Sequence, residues 1–295
     1  MTTRSYRVSH RTAYQYSATM SDGYTVVNLT PRSTKWQHVR ESHVELVPMA
    51  SGVDMFVDVF GNIVHQFGLH EPHATMVVEA ISLVDVIERA MPVDATPWEA
   101  VVDDLDGLIG PEAIDVSMFR SQSTFVDLAA LGGTLRAYAF ESFTPGQEIV
   151  AAALSLCERI YREFQFDSQF STVSTPLSEV INERRGVCQD FAHLAVGCLR
   201  SLGLAARYIS GYIETKPPPG KPRLVGTDAS HAWVSVWTPL AGWVDFDPTN
   251  GHLPVNDHIT VAWGRDYADV IPVRGVMIGP ATEQKLKVSV DVAPV

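Results

Sequence analysis

Between Gly186 and Gly203 the chain reads GVCQDFAHLAVGCLRSLG. As a helix, this stretch carries Cys188, Phe191, Ala195, Leu199 and Leu202 on one stripe and Leu194 and Cys198 on the next. A helix apolar over most of its circumference has no face to give to water, so the fold must surround it. Gly203 is the natural stop, because glycine takes the left-handed conformation that ends a helix. The runs ARYISGYIE, HAWVSVW and GWVDFDP follow, and all read as strands. The expectation is an α+β core with one central helix packed on an antiparallel sheet.

The rest of the chain has a different texture. In SYRVSHRTAYQYS, Tyr6, Val8, His10, Thr12, Tyr14 and Tyr16 share one parity, as in a half-buried strand. Gly61-Asn62 reads as a two-residue hairpin turn, and ATMVVEAISLVDVIE as a further strand. Residues 1–90 are therefore expected to form a β-sandwich-like module. Residues 91–143 read as a helical connector, with Thr96 as cap, Pro97 at the first helical position and Glu99 closing a capping box. Thr144, Pro145 and Gln147 repeat that pattern before a helix carrying Val150, Ala153, Leu154, Cys157, Ile160, Tyr161 and Phe164 at helical spacing. The core is expected over 144–295, ending in the strand KLKVSVDV. A length of 295 residues suits roughly two domains.

A net charge of -12 without a basic patch argues against nucleic acid and against anionic membrane surfaces. MTTRSYRVSH has no signal-peptide core, and no apolar run approaches the ~18 residues of a span. Three cysteines, few and odd in number, fit a reducing compartment, so a cytoplasmic protein is expected.

Cys188 falls in the first turn of the central helix, where unpaired backbone N–H groups favour a thiolate and an oxyanion. Asp190, an acid in the same turn, works weakly against this. A thiol nucleophile needs a base and a group that orients the base. His231, heading HAWVSVW, is the candidate base, and an acid of GWVDFDPTN is the candidate orienter. If Trp237 opposes Ala241 across the intervening hairpin, His231 faces Asp247 directly. Any register pairing odd residues with odd keeps His231, Asp245 and Asp247 on one face.

GVCQDFAHLAVGCLRSLGLAARYISGY, DASHAWVSVW and GWVDFDPTN together resemble the Cys, His and Asp motifs of the transglutaminase-like superfamily, in the right order. YRVSHRTAYQY, LTPR and FGNIVHQF resemble the β-rich region ahead of bacterial transglutaminase-like cores. GRDYADVIPVRG resembles the same group. The resemblance implies a rearranged papain-like architecture with Cys188 as nucleophile, His231 as base and Asp247 as orienting acid. Asp247 is the acid followed by Pro-Thr after the Gly-Trp pair. The implied chemistry is thiol-dependent cleavage of a peptide or isopeptide bond in a peptide or protein substrate. Transfer of the acyl group to an amine, or a binding module with a shielded triad, are the alternatives.

The other residues of interest have plainer readings. Cys157 and Cys198 are expected in the core, and His193 faces away from Cys188. Trp233, Trp237 and Trp243 are expected as cleft wall and core, and Asp228, Asp266 and Tyr267 as cleft or loop residues. Gln165, Gln169 and Asn182 are the amides upstream of the nucleophile that offer an oxyanion donor. His252 and His258 lack metal-ligand spacing, and no cofactor or metal is expected. The Pro-rich segment from Lys216 to Ala229 is a candidate gate over the cleft.

Overall fold

The computed structural model describes residues 2–215 and 230–295. The Lys216–Ala229 segment, Asp228 included, lies outside the described residues.

The first six strands are β1 (Thr3–Met20), β2 (Asp22–Val27), β3 (Gln37–Val47), β4 (Val53–Val57), β5 (Ile63–Leu69) and β6 (His73–Ile87). Alternation along β1 works as the sequence implies: Tyr6, Val8, His10, Thr12 and Tyr16 are buried, and Arg7, Arg11 and Gln15 are exposed. Strands β4 and β5 form the expected hairpin, but Val57 opposes Ile63, so the loop is longer than the Gly61-Asn62 pair. Asp58 holds this loop by accepting the backbone N–H groups of Phe60 and Asn62.

Four helices follow: α1 (Trp98–Gly107), α2 (Pro111–Ser117), α3 (Leu128–Phe140) and α4 (Ile149–Glu163). Both Thr-Pro helix starts differ from expectation. Helix α1 begins after Pro97 with no side-chain cap, and α4 begins only at Ile149. The reason is that the two segments pair with each other. Trp98 N donates to Gln147 O (3.0 Å) and Ile149 N to Thr96 O (3.0 Å). Glu99 accepts instead from the Gly146 backbone, 3.0 Å away.

The chain then runs through β7 (Gln165–Phe166), α5 (Leu177–Glu183) and β8 (Arg185–Gly186) into α6 (Cys188–Ser201). Strands β9 (Ala206–Ile213), β10 (Ser230–Thr238), β11 (Gly242–Phe246) and β12 (His258–Gly264) make an antiparallel sheet in the order β11-β10-β9-β12. Helix α6 is the surrounded helix the sequence requires: every residue from Asp190 to Arg200 is buried, against β9 and β10 on one side and α3 on another. Gly203 ends it at φ 90°.

The last strands, β13 (Val273–Ile278) and β14 (Gln284–Pro294), do not extend this sheet. They return to the first module, where β13 pairs with β2 and β14 with β1. Its two four-stranded sheets, β14-β1-β6-β3 and β13-β2-β5-β4, enclose Tyr16, Val27, Phe67, Met76 and Val78. This departs from a core running unbroken over 144–295. Strand β1 has a second edge of N–H and C=O groups to satisfy, and β14 supplies it. Tyr6, Val8, Val84, Val290 and Val292 also join the same apolar cluster as α6 and the core sheet. Two buried amides lock the contact: Gln37 brackets Thr260 and Asn62 brackets Trp263, each donating to the carbonyl and accepting from the N–H of β12's outer edge. No helix among the described residues is long and apolar enough to cross a membrane.

Candidate active site

Cys188 is the first residue of α6 and is half-buried. The turn before it is shaped by Gly186. A Cβ there would lie 2.7 Å from Asp190 Oδ2 and 2.8 Å from Asp190 Cβ. Glycine thus lets Asp190 fold back and accept the Val187 N–H at 2.8 Å, which fixes the start of the helix. Burial raises the Asp190 pKa, against the hydrogen bonds from Ser171 and Val187 that lower it.

His231 lies near the head of β10 and is 8 % exposed. The observed register pairs Trp237 with Trp243 and Val234 with Phe246. The turn is longer than the Trp237–Ala241 pairing assumed, because Trp237 opposes Trp243 and Thr238 opposes Gly242, which takes φ 69°. The parity is unchanged. Asp247 therefore sits just past β11 and reaches His231 diagonally, with Nε2 to Oδ2 at 2.8 Å.

Asp247 is fully buried and fully engaged. Its Oδ1 accepts the N–H groups of Thr249 (2.9 Å) and Asn250 (3.2 Å), and its Oδ2 accepts Asn250 Nδ2 (2.7 Å). The stretch DPTNGH thus folds back on its own carboxylate. Gly251 closes the turn at φ 67°, where an added Cβ would press on the Tyr161 ring. Burial opposes ionisation of Asp247, but hydrogen bonds and charge from His231 and His258 hold its pKa well below the carboxylate range. Burial likewise opposes protonation of His231. Hydrogen bonds to Asp247 and Cys188, and their negative charges, override it and raise the pKa to about 10. The structure thus brings Cys188, His231 and Asp247 together.

Asp245 serves elsewhere: its Oδ2 takes Arg89 at 2.6 Å and Trp233 Nε1 at 3.2 Å. Trp233 is a wall, with its ring 6.0 Å from His231 and 5.1 Å from His258. Gly211 of β9 makes room for it, since a Cβ there would lie 2.6 Å from the indole and 2.1 Å from Ile259 O.

His258 is the residue that spacing along the chain did not reveal. It heads β12, and β9 separates it from β10, so sheet order alone brings it to the site. Its Nε2 lies 2.9 Å from Asp247 Oδ2, and its Nδ1 lies 2.8 Å from Asp257 Oδ1. His231, Asp247 and His258 present ligand-type atoms within 4.8 Å of one another, which corrects the reading of His258 as unable to share a metal-type cluster. Both imidazoles point at the one carboxylate oxygen, so a cation bound there would take the nitrogen and oxygen that now join His231 to Asp247. The sequence signal for His258 was its place at the head of a strand, directly after an acid.

The remaining residues take structural places. His193 is buried against Phe125 and accepts the Tyr267 N–H, and burial lowers its pKa to about 3. Asp266 caps the turn at Tyr267–Asp269 and accepts the Phe125 N–H. Cys157 and Cys198 are in the core, where burial raises both thiol pKa values. Gln165, Gln169 and Asn182 are exposed. The His252 ring contacts His258 and bonds the Leu253 carbonyl, and its backbone bridges that of Asp247, whose N–H donates to His252 O at 2.8 Å.

Residues 136–248 match the transglutaminase-like superfamily, and residues 6–85 match the bacterial transglutaminase-like N-terminal region. An uncharacterised protein of Mycobacterium tuberculosis is 40% identical, over 99% of this chain and 93% of its own length. A protein-glutamine gamma-glutamyltransferase of Pseudomonas aeruginosa is 37% identical over 71 residues, covering 24% of this chain and 11% of that protein. The crystal structure of a candidate cysteine protease from Cytophaga hutchinsonii superposes with a TM-score of 0.73 at 20% identity, over 100% of this chain and 99% of that one. With both sequence matches in register with the two modules of the fold, the chain belongs to the transglutaminase-like superfamily and carries that superfamily's bacterial N-terminal region.

Proposed function

We propose that this protein is a thiol amidohydrolase acting on peptide or isopeptide bonds. The observation that carries the reading is the orientation of His231: Nε2 is held by Asp247, which leaves Nδ1 for the Cys188 thiol at a helix N-terminus. Asp247 fixes the tautomer and stabilises the imidazolium. Cys188 passes its proton to His231, and the thiolate attacks the amide carbonyl. The first-turn N–H groups of α6 stabilise the oxyanion. His231 then protonates the departing amine, leaving a thioester on Cys188, and water releases the acid. The free, unbridged state of Cys157, Cys188 and Cys198 supports work in a reducing compartment, the cytoplasm.

Transfer of the acyl group to an amine is the second reading, favoured by the likeness of the core motifs to the glutamyltransferase. Both readings share the thioester and part only at its resolution. Incubating the protein with casein and dansylcadaverine, and measuring ammonia release beside dansyl incorporation, separates them. Ammonia or new termini without dansyl supports hydrolysis, and stoichiometric dansyl supports transfer. Turnover that persists in Cys188→Ala rules out both. A thiol that iodoacetamide alkylates no faster in wild type than in His231→Ala leaves the binding-module reading.

A further inference from the structure

A second cavity, of about 770 Å³, lies between the first module and the outer face of the core sheet, and neither Cys188 nor His231 lines it. Its floor is Arg207 of β9, only 8 % exposed. The guanidinium lies 3.7 Å from the Trp263 ring centroid and 4.3 Å from that of Trp243. It makes no ion pair or hydrogen bond with the described residues, and its Nε is buried without a partner.

The chain treats a buried arginine near the end of α6, Arg200, in the opposite way. Arg200 donates to the carbonyls of Phe119, Ser121, Ala206 and Arg265 and is satisfied on every side. A structural arginine here is paired, whereas Arg207 is held flat by two indoles with its donors left open. An unpaired buried donor destabilises the fold, so packing alone does not explain the arrangement. Burial lowers the Arg207 pKa to about 9, with Asp245 opposing the shift, so the group stays cationic at neutral pH.

The other charges around the cavity are accounted for. Arg89 is neutralised by Asp245 at 2.6 Å. Asp58 is saturated by its own turn. Lys35 and Asp115 are exposed and of opposite sign. Arg32, on the Trp263 ring at 3.4 Å, is spent on Phe60 O and the Asn62 side chain, so among the residues lining the cavity Arg207 is the buried cation left open, presented as a planar fork that matches a carboxylate bidentately. The surrounding wall is aromatic, from Trp36, Phe60, Phe119, Trp243 and Trp263. The volume falls in the range of small-molecule sites.

We infer that this cavity binds a small organic monocarboxylate with an aromatic or apolar body, its carboxylate on Arg207 and its body between the indoles. Inorganic phosphate, with no apolar body and a second charge facing Asp245, fits it poorly.

The test measures binding and needs no catalysis, so its outcome is separate from that of the proposed hydrolysis. Titration calorimetry and tryptophan fluorescence would compare 3-phenylpropionate, its neutral amide and inorganic phosphate on the full-length protein. The acid should bind saturably, at least about ten-fold tighter than the amide or phosphate. Arg207→Met should lose that binding by a similar factor while keeping the fold, since Met retains the apolar contact with Trp243 and Trp263 and no hydrogen bond to the described residues is lost. Equal binding of acid and amide, unchanged binding in Arg207→Met, or no saturation by the acid up to about 10 mM would each overturn the inference. If Arg207→Met does not fold, the acid-to-amide ratio in the wild-type protein decides alone.

Discussion

In the proposed reaction His231 is the pivotal residue, and its protonation state is testable directly. With a pKa raised to about 10 by Asp247 and Cys188, its ring should give imidazolium ¹⁵N shifts through neutral and mildly alkaline pH. Because the folded value lies above the unfolded one, the stability this charge contributes is fully present below ~6.5 and is lost as pH rises through about 10. Asp247→Asn should bring the titration down toward neutrality, and turnover should lose its alkaline plateau with it. A wild-type ring already neutral at pH ~7 would contradict the ion pair. His258 acts one step further out, through Asp247. Losing its charge-assisted hydrogen bond, worth ~1.5–3 kcal/mol, should lower kcat roughly ten- to hundred-fold in His258→Ala, with KM little changed. A merely structural His258 would lower Tm and leave the pH profile of the folded fraction alone. The sequence made Cys188, His231 and Asp247 legible because each sits in a recognisable local motif and parity alone aligns two of them. His258 belongs to a strand that reaches the site only through sheet order, so its local signal, a strand head directly after an acid, does not tie it to Asp247.

Elements place these residues through glycines that have no substitute. At Gly211 a Cβ would overlap Ile259 O and the Trp233 ring that walls the site. Gly211→Ala should therefore cost at least ~1–3 kcal/mol of stability, read by urea unfolding, and should lower turnover in whatever fraction folds. At Gly186 the obstruction is Asp190, so Gly186→Ala should unseat the Asp190–Val187 cap and slow alkylation of Cys188. Alkylation at the wild-type rate would show that the cap does not set the thiol's position. The strands and the central helix were legible from period and apolar content. The two Thr-Pro starts were misplaced by one and by several residues, because their backbone groups are spent on pairing with each other, a contact some fifty residues apart that local cap rules do not see. The hairpin register missed by one pair for a similar reason: parity comes from the pattern, but turn length comes from Gly242.

At the scale of the molecule the two modules are one packed body. Valines of β6 and β14 share the apolar cluster of α6, and Gln37 and Asn62 satisfy the outer edge of β12. A fragment holding only residues 91–272 should expose that patch and that edge, and should aggregate or melt well below the full chain in a thermal scan. Independent folding at full stability would show the modules to be separable. The division into three consecutive blocks was the natural reading of changing texture, and nothing local in QKLKVSVDVAP says which sheet it joins. The order in which the chain leaves the ribosome gives this closure a further meaning. Strand β1, from Thr3, is made well before its partner β14, from Gln284, a delay of on the order of tens of seconds at usual synthesis rates. Late in that interval the nascent protein holds Cys188, His231 and Asp247 but lacks the strand that pairs with the second edge of β1. Closure of this sheet therefore waits on β14, and a chain that stalls before it should be handed to chaperones with the second edge of β1 still open.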